Sequence, residues 1–190
     1  MLQSYKYISH PNKKIEEILK SFFSLHPANV DLSLSRIKKL LKRMGNPHLK
    51  LDNVIQISGT NGKGSIATIL YTLQKLNGKK VNIFRSPHLV FFNERIHLLN
   101  KEISDGYLLE VLDYVKNIND KEPITFFEII TAAAFFSFSL NNADINILEV
   151  GLGGRLDATN VIKKNLVSII STIGHDHQEF LGNNLKKIAN

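Results

Sequence analysis

Residues 54–65, VIQISGTNGKGS, are the stretch of sequence that decides the fold. The apolar run at 54–57 predicts a short buried strand, because turn-forming residues bound it and it is too short for a buried helix. A glycine-rich turn follows, and a pattern of helical period then extends from Ser65 to about Leu76. A buried strand that leads through glycines directly into a helix is typical of α/β proteins with a parallel sheet.

The glycine-rich turn has the composition of a phosphate-binding loop. Glycines permit positive φ angles and close approach of the backbone, and the amino terminus of the following helix attracts anions. Lys63 would pair with the β- and γ-phosphates of a nucleotide, and Ser65 would lie near the metal ion that bridges them. The strict pattern G-x-x-x-x-G-K-[ST] is not met, since Ile57 replaces its first glycine and Gly64 separates Lys63 from the hydroxyl. The alternative is a glycine-rich turn without a ligand.

The rest of the chain alternates apolar strands with helices. Further strands are predicted at residues 81–84, 145–150 and 166–173, and helices at 34–44, 104–116 and 126–140. Asp31 is the predicted N-cap of the first of these helices, and residues 86–100 form a long loop. The alternation predicts an α/β fold of one domain, with a mostly parallel sheet covered by helices on both faces. Because ligands bind such sheets beyond the carboxyl ends of the strands, we expect the functional residues directly after them.

A carboxylate and a second glycine-rich loop follow the predicted strand at 145–150. Glu149 at the end of a buried strand is costly unless it is paired or bound to a cation. Mg²⁺ on a nucleotide takes one or two carboxylates, so Glu149 is a candidate ligand. Residues 151–157 read GLGGRLD, and in them Arg155 and Asp157 are candidates for contacting a substrate. The alternative for this loop is a glycine-rich turn with a solvated ion pair.

Residues 174–177, GHDH, place three polar side chains at the exit of the last predicted strand. Two imidazoles with a carboxylate between them are compatible with a transition-metal site. Zinc is disfavoured, because it needs a further close ligand that the local sequence does not offer. A single histidine that supports Mg²⁺ is the other interpretation.

Composition narrows the function classes. With 43% hydrophobic residues among 190, the chain can form a sizeable core, and the lack of cysteine excludes a disulfide scaffold and a thiolate zinc site. The amino terminus has no signal-like apolar segment, and residues 126–140 are shorter than the roughly 20 apolar residues of a membrane span, so we expect a cytoplasmic protein. The net charge of +7 comes from 24 basic residues, 19 of them lysines, against 17 acidic ones. Scattered lysines favour a solvated surface over a nucleic-acid site.

Five segments closely resemble the folylpolyglutamate synthase/dihydrofolate synthase family, a branch of the Mur ligases. They are ISGTNGKGS at 57–65, SPHLVFFNERI at 86–96, TFFEIITAAAF at 125–135, ILEVGLGGRLDATNVI at 147–162 and DHQEFLG at 176–182. The segment LSRIKKLLKRMGNPH at 34–48 is similar to the opening helix and turn of that family. The resemblance implies a P-loop NTPase-like fold of the Mur ligase central-domain type.

The resemblance also implies an ATP-dependent amide ligation that uses ATP and Mg²⁺. A carboxylate of dihydropteroate or a (tetrahydro)folate attacks the γ-phosphate to give an acyl phosphate, and the amine of L-glutamate then displaces phosphate. The implied phosphate-binding residues are Thr60, Asn61, Gly62, Lys63, Gly64 and Ser65. The implied metal ligands are Ser86, Glu149 and His177, and the implied catalytic residues are Lys63, Glu149 and His177.

The implied pteroate-binding residues are Arg95, Thr125, Phe126, Phe127, Glu128, Leu156, Asp157 and Ala158. The two phenylalanines suit a flat heteroaromatic ring, although filling of the core explains either one equally well. The implied partners are small molecules, with neither nucleic acid nor membrane among them, and we expect a monomer.

Two residues and the length of the chain depart from the family pattern. Arg85 stands where the family commonly has a small residue, and Asn183-Asn184 replaces a usual threonine. The family has a second, C-terminal domain, so we expect residues 1–190 to be the N-terminal ATP-binding domain, truncated before that domain and inactive alone. The alternatives are a module that only binds nucleotide or pteroate, another Mur-type amide ligase, and a P-loop protein that acts on nucleic acid.

Overall fold

A computed structural model describes residues 8–27 and 32–189 of the chain. Its helices are α1 (Lys13–Phe23), α2 (Ser35–Arg43), α3 (Lys63–Leu76), α4 (Asp105–Asn119), α5 (Phe126–Leu140), α6 (Gln178–Leu181) and α7 (Leu185–Ala189). Its strands are β1 (Val54–Ser58), β2 (Val81–Phe84), β3 (Ile96–Leu98), β4 (Lys101–Glu102), β5 (Ile145–Glu149) and β6 (Val167–Ile170). Short 3-10 helices lie at Pro47–Lys50 and Phe92–Arg95.

A six-stranded sheet of order β4-β3-β2-β5-β1-β6 forms the centre of the molecule. The strands β2, β5, β1 and β6 are parallel neighbours, whereas β3 pairs antiparallel with β2 and β4 pairs antiparallel with β3. The predicted α/β fold with a mostly parallel sheet is confirmed. The carboxyl ends of the four parallel strands therefore lie at one edge of the sheet.

The antiparallel hairpin of β3 and β4 corrects the prediction of a loop throughout residues 86–100. Leu99 and Asn100, both with positive φ (50° and 71°), connect the two strands as a tight turn. The Asn100 N–H donates to the Val81 carbonyl and its side-chain oxygen accepts from the Val81 N–H, each at 3.0 Å, so the turn is joined to β2. Strands of two or three residues carry too little alternation to be visible in the sequence.

Helices cover both faces of the sheet, as predicted. On one face, α1, α2, α4 and α5 form the larger core with Val54, Phe84 and Leu148. On the other face, α3 forms a smaller core with the alternate residues of the same strands. The helix α5 is buried along most of its length because it lies between the sheet and the other helices. None of the helices in the described part of the chain combines the length and apolar character that crossing a bilayer requires.

The predicted boundaries hold for β2 and α5 and fail at the last strand. The strand β6 ends at Ile170, whereas residues 166–173 were predicted, because residues 171–174 leave the strand and hydrogen-bond to the glycine loop. The helix α1 was not predicted, although Asn12 accepts from the Lys14 N–H as its N-cap. The predicted N-cap Asp31 lies outside the described residues.

One carboxylate orders the tip of the loop between β2 and β3. Glu94 accepts the backbone N–H groups of Leu89, Val90 and Phe91 at 2.7–2.8 Å. Burial acts to raise the pKa of Glu94, but these three hydrogen bonds outweigh it and the pKa is lowered. The side chains of the three donors stay exposed, so the loop keeps its shape without a core of its own.

A buried pair, His88 and Arg95, lies at the base of the same loop. The Arg95 Nε donates to the His88 Nδ1 at 2.8 Å, and each residue is 5% exposed. Because a guanidinium only donates, the His88 ring accepts at this nitrogen and is neutral. Burial, followed by the charge of Arg95, lowers the pKa of His88 to about 4.

We expect the free energy of unfolding to decrease as the pH falls from about 6.5 to about 4. The unfolded chain takes up a proton at His88 near the ordinary pKa of 6.5, whereas the folded chain does so only near 4. Stability from this histidine is therefore present above the unfolded pKa and is lost as the pH falls toward the folded one. The difference corresponds to about 3 kcal/mol. Urea unfolding at a series of pH values measures it.

The variant His88→Gln keeps an acceptor for Arg95 and removes the titrating ring, so its stability should fall less steeply with decreasing pH. His97, whose pKa burial and Arg85 lower to about 4, continues to contribute in this variant. The exposed His26 provides the control His26→Gln, which should keep the full pH dependence. An unchanged slope in His88→Gln would contradict the assignment.

Candidate active site at the carboxyl ends of the parallel strands

The glycine loop after β1 is joined to the segment that follows β6. The Ser171 N–H donates to the Ser58 carbonyl at 2.9 Å, and the Thr60 N–H donates to the Thr172 carbonyl at 2.7 Å. The Thr60 hydroxyl accepts the Gly174 N–H at 2.9 Å. These bonds between two strand exits fix the shape of the glycine loop from outside the loop itself.

Two glycines make this shape possible. Gly59 has a φ of 125°, and a Cβ there would collide with the Ser171 hydroxyl. Gly62, with a φ of 83°, is the left-handed N-cap residue of α3. The first amides of a helix have no partner within the helix, and the positive end of the helix dipole lies beside them. The start of α3 therefore forms a cradle for an anion.

The Lys63 ammonium lies over this loop. It donates to the carbonyls of Gly59 at 2.8 Å and Thr60 at 3.2 Å. An ammonium has three N–H donors, so these two bonds hold the charge at the cradle and leave one donor direction for a ligand. The arrangement suits a polyphosphate, whose oxygens accept hydrogen bonds and carry negative charge.

Glu149 ends β5 beside the cradle. Its side chain is buried at 5% exposure, and its Oε2 accepts the Ser86 N–H at 3.2 Å. A Cβ on Gly64 would lie 3.6 Å from Oε1, so the helix start and the carboxylate approach closely. Burial raises the pKa of Glu149, and the Ser86 bond and the charges of Lys63, Arg85 and Arg95 oppose that rise. A bound cation would stabilise the ionised form further.

Two of the three predicted metal ligands, Ser86 and Glu149, are in contact, and the third, His177, lies in the segment after β6. Ser86 contacts Glu149, while His177 is exposed in the left-handed N-cap position of the short α6. The nearest acid to the His177 ring is Asp176, at 3.7 Å from its Nε2. Within the described ranges, no group of three or more histidines and acids is placed to hold a metal ion. The side-chain atoms that Glu149 and Ser86 would offer to a metal ion are oxygens, which suit Mg²⁺ on a nucleotide better than zinc.

A cavity of about 340 Å³ opens beside the glycine loop. It brings together five of the candidate residues, which are Thr60, Lys63, Arg155, Leu156 and His177. Asp176, the carboxylate of the GHDH segment, also lines it, as does Phe180, which was not among the predicted site residues. The position of Phe180 in the segment DHQEF, which follows the last predicted strand, was the available signal.

Asp157 orders the loop that follows β5. Its carboxylate accepts the N–H groups of Gly151, Leu152 and Thr159 at 2.8–3.0 Å and the Thr159 hydroxyl at 2.6 Å. Burial raises the pKa of Asp157, against the effect of these bonds. A contact between Asp157 and a substrate stays a prediction, whereas Arg155 is exposed at the edge of the cavity. Ala158 is buried behind the loop.

The predicted aromatic residues occupy two different environments. Phe126 stacks on Phe23 at 4.3 Å between ring centroids, and the Arg95 guanidinium lies 6.0 Å from its centroid. Phe127 packs against Gly151, where a Cβ would lie 2.5 Å from the ring. Both rings are half-buried, so each contributes to packing and keeps part of its surface open.

Thr125 and Glu128 form the capping box of α5. The Thr125 hydroxyl accepts the Glu128 N–H at 3.2 Å, and Glu128 Oε2 accepts the Thr125 N–H at 2.8 Å. The same Oε2 accepts from Arg36 Nε at 3.0 Å. Glu128 Oε1 is buried and has no hydrogen-bond partner among the described residues. Such an atom is costly unless a ligand or water supplies a donor. Arg36 lies 92 positions away, so no local pattern could have predicted this pairing.

No protein-family model matches the chain. Two curated relatives are similar to it in sequence. The chain is 38% identical over 164 residues to a dihydrofolate synthase/folylpolyglutamate synthase of Haemophilus influenzae, an alignment that covers 86% of this chain and 37% of that protein. It is 39% identical over 163 residues to the protein of the same name from Bacillus subtilis, with 82% and 37% covered.

Solved structures are similar to it in fold. The match to E. coli FolC in complex with DHPP and ADP has a TM-score of 0.84 at 32% identity and covers 90% of this chain and 41% of that chain. The match to folylpolyglutamate synthase from Thermotoga maritima has a TM-score of 0.78 at 41% identity, with 87% and 39% covered.

The chain spans about two fifths of the length of these proteins. Sequence and fold thus agree that the chain is similar to the amino-terminal portion of proteins named folylpolyglutamate synthase/dihydrofolate synthase.

Proposed function

We propose that this chain forms the nucleotide-binding domain of an ATP-dependent ligase that joins L-glutamate to dihydropteroate or to a folate. The observation that carries the proposal is the meeting of the glycine loop, Lys63 and the buried Glu149 at one edge of the sheet. The names of the relatives support it. The solved relatives include FolC with DHPP and ADP, an FPGS–AMPPCP–folate complex, and a bifunctional enzyme with Mn, AMPPNP and L-glutamate bound.

In this proposal the glycine loop binds the phosphates of ATP. The backbone amides at the start of α3 donate to phosphate oxygens, and Lys63 adds a positive charge beside the β- and γ-phosphates. The phosphate-binding residues are those of the predicted set, Thr60, Asn61, Gly62, Lys63, Gly64 and Ser65. Because Thr60 is joined to the exit of β6, the loop is preorganised and binding needs little rearrangement.

The residues proposed to hold Mg²⁺ are Ser86, Glu149 and His177. The fit rests on Glu149, because a buried carboxylate beside a phosphate cradle is stabilised by a cation that also binds phosphate oxygens. When bound, Mg²⁺ neutralises charge on the transferred phosphoryl group. Lys63, Glu149 and His177 then act by charge and position, and no proton transfer by these residues is needed.

The proposed reaction has two steps. The carboxylate oxygen of the pteroate substrate forms a bond to the γ-phosphorus while the bond from that phosphorus to ADP breaks, giving an acyl phosphate. The amine of L-glutamate then attacks the acyl carbon, loses a proton, and releases inorganic phosphate to leave an amide. The part of this chain is to hold the nucleotide and the pteroate carboxylate close together, which lowers the entropic part of the barrier.

The pteroate substrate is proposed to bind near the amino terminus of α5. The residues of this subsite are Arg95, Thr125, Phe126, Phe127, Glu128, Leu156, Asp157 and Ala158. Half-buried rings offer flat apolar surface to a heteroaromatic substrate. The unpartnered Glu128 Oε1 would accept an N–H group of that substrate, which would remove its desolvation cost. In this proposal the protein acts as a cytoplasmic monomer on small molecules alone.

A second candidate function is binding of nucleotide or pteroate without ligation by these 190 residues. This chain covers only 37% of the length of its relatives, which favours binding without ligation by these residues. The two candidates are separated by incubating the chain with ATP, Mg²⁺, L-glutamate and dihydropteroate. A glutamylated product in mass spectrometry supports ligation, and its absence together with measurable nucleotide binding supports the second candidate.

We expect Lys63→Ala to weaken binding of Mg²⁺–ATP by about 10-fold or more, because a charge-assisted contact to phosphate is lost. Isothermal titration calorimetry on the 190-residue chain measures this change. The control is Lys75→Ala, which removes an exposed lysine from the last turn of the same helix and should bind as tightly as the unmodified chain. Equal affinity of Lys63→Ala and Lys75→Ala would refute the proposed phosphate contact.

We expect Phe126→Leu to weaken binding of dihydropteroate by about 10-fold, since the variant loses the flat surface of the ring. The matched control is Phe136→Leu on the same helix, because Phe136 also stacks on an aromatic ring, Tyr114, at 4.3 Å. Both variants should lose a similar amount of stability. Fluorescence titration that finds the same loss of affinity in both would assign Phe126 to packing alone.

A further inference from the structure

Arg85 directly follows β2 and joins three parts of the fold. Its Nε donates to the Glu94 carbonyl at 3.0 Å at the end of the loop that precedes β3. One Nη donates to the Thr68 hydroxyl of α3 at 3.3 Å, and the other bonds to His97 Nε2 of β3 at 3.0 Å. Each nitrogen of the guanidinium thus has a partner within the protein. These contacts favour a structural role for Arg85 over binding of substrate.

The His97 ring extends this connection back to α3. Since a guanidinium only donates, His97 Nε2 accepts and Nδ1 carries the proton. That Nδ1 lies 3.4 Å from the Tyr71 hydroxyl, and the two rings meet edge to face at 5.4 Å. Burial, followed by the charges of Arg85 and Lys75, lowers the pKa of His97 to about 4, so the acceptor persists at neutral pH.

The helix α3 packs on the smaller of the two cores, where its residues Ile66, Leu70 and Tyr71 are partly buried. Ala67 is its only residue that is fully buried among the described ones, and Ile69, Leu73 and Leu76 are exposed. The first residue of this helix is Lys63 of the glycine loop. A tilt or slide of α3 would therefore move the phosphate cradle relative to the strand exits.

The other end of the connection is the carboxylate at the site. Ser86 follows Arg85 directly, and its N–H holds Glu149. The Arg85 N–H donates to the Arg95 carbonyl at 3.0 Å, which fixes the base of the loop from its other side. Arg85 therefore lies between the helix that carries the cradle and the segment that orients the carboxylate.

We infer that Arg85 is a positioning residue, which ties α3 to the loop between β2 and β3 and thereby sets Ser86 and Glu149 against the phosphate cradle. The inference rests on the proposed function only for its consequence in nucleotide binding. A lysine cannot replace this arginine, because a single ammonium does not reach three acceptors in one plane. Geometry, and not charge alone, is the property that matters.

The first measurement needs no ligand. NMR on the 190-residue chain measures the rate of amide hydrogen exchange. The Ser86 N–H should exchange about 10-fold or more faster in Arg85→Lys and in Arg85→Ala than in the unmodified chain. The matched control is Arg43→Ala, which removes an arginine that also donates to backbone carbonyls, those of Ile118 and Asn119, away from the site. Exchange at Ser86 should be unchanged in this control.

The second measurement is the gain in ADP affinity on adding Mg²⁺, by calorimetry with and without a chelator. Arg85→Lys should reduce this gain by about 10-fold, while affinity for metal-free ADP stays within about 3-fold. Thr68→Val keeps the shape of the side chain and removes the acceptor, so it should reduce the gain in the same direction, and less than additively with Arg85→Lys. This variant also provides the test if the arginine variants fail to fold.

The outcomes separate this inference from the proposed function. Unchanged exchange at Ser86 in Arg85→Lys, or a full Mg²⁺ gain in that variant, would overturn the positioning role. Faster exchange with a reduced gain supports it. If the unmodified chain shows no Mg²⁺-dependent ADP binding while Arg85→Lys still accelerates exchange at Ser86, the proposed nucleotide function fails and the positioning role is supported.

Discussion

The arrangement of the whole edge of the sheet depends on one buried carboxylate, that of Glu149. It ends a strand flanked on both sides by parallel neighbours, and it is only 5% exposed. Burial penalises its charge, and the cations Lys63, Arg85 and Arg95 together with the Ser86 N–H oppose that penalty. The glycine loop, the exit of β2 and the base of the following loop supply these groups. Segments that are distant in sequence thus meet around one carboxylate.

The loops at this edge share a physical device. Glu94 gathers three backbone N–H groups of the loop between β2 and β3, and Asp157 gathers three in the loop after β5. In each case an acceptor-only side chain replaces the partners that a sheet or helix would supply. A loop held in this way keeps a defined shape while the side chains at its tip, such as those of Leu89, Val90 and Arg155, stay exposed. That combination suits a surface that must approach a ligand closely.

The pattern of apolar and turn-forming residues was sufficient to predict those helices and strands whose form depends on residues close in sequence. The apolar helix α5 and the strand β2 were predicted with their bounds, and the glycine loop, Glu149 and the strand exits were expected at one edge because parallel topology brings them there. The pairing of Arg36 with Glu128, 92 positions apart, and the side-chain contacts of Arg85, 9 to 17 positions apart, could not be predicted, because no helical or strand period relates these residues. Arg85 illustrates the limit: the sequence marks it as a departure from the family, and only the fold reveals its three partners.

The balance of charge at the edge argues for the class of ligand more strongly than the net charge of the chain does. Lys63, Arg85 and Arg95 each act to lower the pKa of Glu149, so three positive charges act on this one carboxylate. Each of these cations also binds a neutral acceptor (the loop carbonyls, the His97 ring and the His88 ring, respectively), which holds its position without cancelling its charge. An excess of fixed positive charge beside a helix amino terminus is unfavourable by itself and is relieved by an anion. A polyphosphate that brings its own divalent cation to Glu149 satisfies both signs of charge at once, whereas a simple monoanion would leave the carboxylate without a partner.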